Sequence, residues 1–126
     1  MPSPSSTTTD APLGTFEEQV LLAVLRTGRA PDGSGAYGMA VRRVLEEVAG
    51  REVAIGAVYA TLDRLEVKGL ATSERGEAGA GGSRRVFAVT PRGARALADT
   101  REMRERLWQG VDLVPLLAGA KVRGGT

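Results

Sequence analysis

The sequence contains no cysteine and no histidine. Without cysteine there is no disulfide framework and no thiolate metal site. Without histidine the usual general base at neutral pH, the commonest metal ligand and the Ser-His or Cys-His nucleophile pairs are all missing. Aspartate and glutamate remain, but no pair of them suggests a reaction, so the expectation is no enzyme, no metal and no cofactor. Aromatic residues are 4% of the chain, and Trp108 is its one tryptophan. No apolar run approaches the ~20 residues of a membrane span. The start, "MPSPSSTTTDAP", lacks the basic and apolar stretches of a signal peptide, so a cytoplasmic protein without membrane attachment is expected. Lysine stands only at positions 68 and 121, so arginine carries nearly all the positive charge. Arginine is also the side chain best matched to phosphates and guanine edges.

What is present is 126 residues, 42% of them apolar and 25% charged, enough for one modest core. The net charge is only +2, but it is uneven. Residues 1–36 hold two arginines against four acids, whereas residues 84–95 hold Arg84, Arg85, Arg92 and Arg95 and no acid. A local basic stretch on a near-neutral chain suggests a patch that meets an anion, the plainer reading being a solvated arginine-rich surface.

Hydrophobic periodicity and turn residues divide the chain. Residues 1–12 are mostly Ser, Thr and Pro with almost nothing to bury, and read as a disordered tail. "TFEEQVLLAVLRTG" (15–28) predicts a helix with a Thr15–Glu18 capping box and an apolar stripe of Leu13, Phe16, Val20, Leu21, Val24 and Leu25. A loop, 29–36, leads to a second helix over 37–50, with Val41, Val44, Leu45 and Val48 on one face. A third helix spans 55–68 and stops at Gly69. Two short strands, 70–75 and 84–89, flank the glycine-rich tip "GEAGAGGS". Thr90-Pro91 opens a fourth helix that runs to Gly110. Residues 111–126 predict a short extra turn and a frayed end. The order helix, helix, helix, strand, strand, helix is a mostly helical α+β fold, the winged helix-turn-helix.

On the third helix, Val58, Leu62 and Leu65 face the core. The opposite arc begins with Gly56, Ala57 and Ala60, unusually bare for an exposed face. Small residues there give a helix clearance to enter a major groove about 12 Å wide, with its N-terminal N–H groups towards phosphate. The competing explanation is a surface helix using alanine for its propensity. Tyr59 and Thr61 can donate to phosphate or base edges, and Arg64 and Lys68 can lie along the backbone. Asp63 and Glu66 would repel phosphate, so only the first two turns are expected to insert. Arg84 and Arg85 stand where the flexible tip re-enters the strand, and alternation sends at least one of them to solvent. They read either as backbone contacts or as charges guarding an edge strand.

"GAVYATLDRLEVKGLA" (56–71) and "GGSRRVFAVTPRGARAL" (81–97) resemble the PadR family of bacterial transcriptional regulators. Tyr37-Gly38 matches the family's tyrosine at the start of the second helix. Val86 departs from the family, where an aromatic is common, and so does Ala88, where a charge is common. The resemblance covers about residues 13 to 110. It implies a winged helix-turn-helix domain over 13–90, a dimerisation helix with a short extension over 91–118, and a flexible tail over 119–126. The implied function is a dimeric repressor that binds double-stranded DNA at a pseudo-palindromic operator and is released by a small-molecule effector. The expected DNA-facing residues are Tyr37, Arg51, Gly56, Ala57, Tyr59, Ala60, Thr61, Arg64, Lys68, Ser83, Arg84 and Arg85. Leu97, Met103, Leu107, Trp108 and Val111 are expected at the homodimer seam, either as plain packing or as a hydrophobic pocket for a flat effector. A winged helix that binds another protein and no DNA is the alternative, disfavoured by the arginine pair and the bare helix start.

Overall fold

The computed structural model describes residues 12–28, 35–75 and 85–124. The expected disordered tail, the 29–34 loop and the glycine-rich tip lie outside them, apart from Pro12. The elements are α1 (Thr15–Thr27), α2 (Gly38–Ala49), α3 (Ile55–Val67), β1 (Ala71–Arg75), β2 (Arg85–Val89), α4 (Pro91–Trp108) and α5 (Val114–Gly124). The mostly helical winged helix-turn-helix expected from the sequence is therefore present, with one antiparallel two-stranded sheet as its wing.

α1 is the central post. Val20 and Leu21 are fully buried and Ala23 and Val24 nearly so, packed with Val41 and Leu45 of α2, Val58, Leu62 and Leu65 of α3, and Phe87 of β2. Two expectations about α1 are corrected. Its N-cap is Gly14, whose N–H donates to Glu17 Oε1 at 3.2 Å, so Glu17 and not Glu18 closes the first turn. Glu18 is buried instead and pairs with Arg104 of α4. Leu25 is 41% exposed, because the core takes Ala23 in its place. Val48 of α2 is likewise exposed at 57%.

α2, the turn 50–54 and α3 form the helix-turn-helix. Gly50 and Gly69 end the two helices at positive φ, and beyond each the next backbone N–H folds back onto the helix: Arg51 to Leu45 O, Leu70 to Leu65 O. Arg42 Nε donates to Val53 O at 3.1 Å and holds the turn. Ahead of α2, Ala36 bridges β2, accepting the Phe87 N–H at 2.7 Å. This pairing covers part of the wing's outer edge.

Thr90 joins wing to helix. Its N–H donates to Leu70 O, its hydroxyl donates to Gly69 O at 2.7 Å, and the same oxygen accepts the Gly93 N–H at 3.0 Å as the α4 cap. α4 packs through Ala96, Leu97 and Thr100, whose hydroxyl accepts the Leu13 N–H. Leu97 thus packs in this domain's own core. Met103 is half-buried, and beyond it α4 runs clear of the core.

The expected short extra turn after α4 is an 11-residue helix, α5. Gly110 at φ +81 turns the chain, Asp112 Oδ1 accepts the Val114 N–H at 3.0 Å, and Pro115 falls in the first turn. Leu107, Trp108, Val111, Leu113, Val114, Leu116 and Leu117 all stand exposed along α4 and α5.

Candidate nucleic-acid interface

α3 divides into a buried and a bare side as its periodicity dictates. Val58, Leu62 and Leu65 are fully buried, while Gly56, Ala57 and Ala60 are exposed. A Cβ added at Gly56 would meet nothing within 4 Å. The N-cap is Ala54, which offers no side-chain acceptor. The first N–H groups of a helix have no partner inside it, and here no cap side chain stands over them. The positive end of the helix dipole is thus presented on a face with almost no side-chain bulk.

Tyr59 is held against α2. A side chain at Gly38 would collide with its ring, so the Tyr37-Gly38 pair of the sequence leaves room for Tyr59 to lie across the start of α2. Tyr59 keeps 36% exposure beside the bare face. Tyr37, half-buried, is the N-cap residue of α2. Thr61 is corrected: it is 2% exposed, and its hydroxyl accepts from Arg64 Nη2 at 3.3 Å inside the domain. It cannot reach a groove.

Arg64 and Lys68 are engaged with one acid of the same chain. Lys68 Nζ lies 2.7 Å from Glu17 Oε2 and Arg64 Nε 3.8 Å from the same oxygen, joining the end of α3 to the start of α1. Burial pushes the Glu17 carboxyl up, but the Lys68 ammonium, the Gly14 N–H and Arg64 together outweigh it and hold it below the ordinary carboxylate value. The stabilisation from Glu17 is thus complete above the ordinary value and is lost as pH falls through the lower folded one. Arg51 stacks over the Phe16 ring at 4.8 Å and reaches Gln19 Oε1 at 3.5 Å, with its charge at the surface.

Arg85, expected to face DNA, is held by two acids of α3. Its Nη1 is 2.9 Å from Asp63 Oδ1 and its Nη2 2.7 Å from Glu66 Oε1, with the guanidinium over the Phe87 ring at 4.8 Å. Ser73 of β1 donates to the other Glu66 oxygen at 2.8 Å. Desolvation lowers the Arg85 pKa, but Asp63 and Glu66 more than reverse this and raise it above the ordinary guanidinium value. The acids that seemed from sequence to bar phosphate are therefore already neutralised in part. Ser83 and Arg84 lie outside the described residues.

The structure thus brings Gly56, Ala57, Tyr59, Ala60 and Arg64 together on one helix, with Lys68 as its C-cap. It withdraws Thr61 into the core and places Leu107, Trp108 and Val111 on a separate surface. Among the described residues no cluster of acids could hold a metal, and no helix is long and apolar enough to cross a membrane.

Solved structures share this fold. A PadR-like transcription factor from Bacteroides fragilis is 24% identical, with 76% of this chain and 85% of that one aligned at a TM-score of 0.64. A PadR-family regulator from Eggerthella lenta is 26% identical over 78% of this chain and 80% of its own, at 0.59. Bacillus subtilis PadR, solved in complex with operator DNA, is 19% identical over 70% of this chain and 47% of its own, at 0.56. No curated protein sequence matches. The profile of the transcriptional regulator PadR-like family matches residues 23–99, from the middle of α1 to the buried face of α4. With the helix-turn-helix, the wing and that match in agreement, the chain belongs to the PadR-like family of transcriptional regulators.

Proposed function

We propose that this regulator binds double-stranded DNA as a homodimer, seating the first two turns of α3 in the major groove with the wing beside the adjacent backbone. The observation that carries this reading is the bare, uncapped start of α3, with Gly56, Ala57 and Ala60 exposed on a helix whose other side is fully buried. The operator complex of Bacillus subtilis PadR, which shares the fold, supports it. Tyr59 reads the groove edge from its seat on Gly38. Arg51, Arg64 and Lys68 take phosphates, the latter two by sharing or leaving Glu17. A second copy covers the exposed apolar residues from Leu107 to Leu117, which a soluble monomer would leave to water. Two α3 helices then meet half-sites about one helical turn apart, so a pseudo-palindromic site is expected. The regulator acts in the cytoplasm and represses by occupying that site.

Duplexes selected from a random-sequence library by the purified protein test the reading. Three cations on each of two protomers give about six phosphate contacts, and affinity should then fall ~10³-fold between about 50 mM and about 200 mM salt. Failure to enrich any duplex at low salt, with the dimer intact, would instead make the protein a winged-helix interaction module.

A further inference from the structure

Asp63 continues the exposed arc of α3 that begins with Gly56 and Ala60, and Glu66 stands one turn beyond it. Two carboxylates at that place would oppose the phosphates flanking any groove into which α3 inserts. Arg85 takes both, one guanidinium nitrogen to each, at 2.9 Å and 2.7 Å. Its platform is fixed, because Phe87 beneath it is only 3% exposed and sits in the core. Ser73, across the sheet from Phe87, holds Glu66 from the other strand. The cluster therefore joins α3, β1 and β2 through side chains in the half of the strand pair nearer the wing tip. A guanidinium spent on two carboxylates has little left for a phosphate.

We infer that Arg85 is a positioning residue for DNA binding and not a DNA contact: it masks Asp63 and Glu66 on the DNA-facing side of α3 and ties the wing strands to that helix. The inference rests on the proposed DNA binding. Its consequence is a coupling. Removing Arg85 should matter only while the two acids are present.

A double-mutant cycle tests this, using the duplex selected by the wild-type protein and anisotropy over a salt series. Arg85→Gln is expected to weaken binding about tenfold without changing the salt slope, since no phosphate contact is lost. In the Asp63→Asn, Glu66→Gln background the same change should alter affinity less than about twofold. Arg85→Lys keeps the charge but not the two-pronged contact, so a loss of about threefold is expected, again with the slope unchanged. Equal losses in both backgrounds, with the slope falling by about 0.9 per protomer, would make Arg85 a phosphate contact and overturn the inference. So would an Arg85→Gln protein that binds as the wild type does. A wild-type protein that selects no duplex defeats the DNA-binding reading itself, a result distinct from either.

Discussion

Replacing Gly93 by alanine lowers the melting temperature by roughly 10–20 °C, the loss expected for ~2–3 kcal/mol in a domain of this size. Gly93 sits in the first turn of α4, where its N–H donates to the Thr90 hydroxyl. A Cβ there would run into the carbonyl of Leu70 and lie 2.9 Å from Val89 Cγ1. The Leu70 carbonyl cannot retreat freely, because it accepts the Thr90 N–H at 3.1 Å. Relief requires α4 to lift from the start of β1, which would stretch the Thr90 cap as well. Alanine favours the helix by up to ~1 kcal/mol over glycine, and the clash exceeds that gain. A thermal melt followed by far-UV circular dichroism reads the outcome, and an unshifted midpoint would show that this close approach is not tight.

Gly56→Glu is expected to weaken DNA binding at least ~100-fold while raising the melting temperature. The two effects have opposite signs because they arise at different steps. Gly56 lies in open space in the first turn of α3, so a longer side chain meets no neighbour. An acid there complements the helix dipole by ~0.3–1 kcal/mol, and leaving glycine adds about 0.5–1 kcal/mol more. In the proposed complex the same carboxylate would point into the groove between phosphates. In the proposed dimer two copies, each costing about 1.4 kcal/mol, already give a hundredfold. A folding defect cannot produce this pair of results. Anisotropy and a melt on one preparation check both, and unchanged binding would remove the start of α3 from the interface.

Much of this was legible in the sequence. The stops at Gly50 and Gly69 and the Thr90-Pro91 start are local signals, and the structure places helix ends at them. The core faces of α1 to α3 follow from helical spacing, apart from Leu25 and Val48, which stand exposed. What was missed depends on contacts across the chain. Glu17 and Glu18 are adjacent, and spacing alone cannot say which one caps and which is buried against Arg104. Thr61 lies about 40° from Leu65 on the helical wheel, bordering the core arc, so its burial could have been read from position had its hydroxyl not suggested a donor. Asp63 and Glu66 look repulsive until Arg85 is brought to them from the wing. Alternation places Arg85 on the same sheet face as Phe87, and that was the available clue. The helix after α4 also left a sign: Asp112 followed by Pro115 is a cap and a first-turn proline, hidden among residues that otherwise resemble a tail.

Amide shifts tracked during titration of the labelled protein with a selected duplex test the central claim most directly. DNA binding through the start of α3 predicts the largest shifts at Gly56, Ala57 and Ala60, with those at Asp99 and Glu102 on the exposed side of α4 unmoved. Shifts gathered on Leu107 to Leu117, with residues 55–60 unmoved, would contradict it.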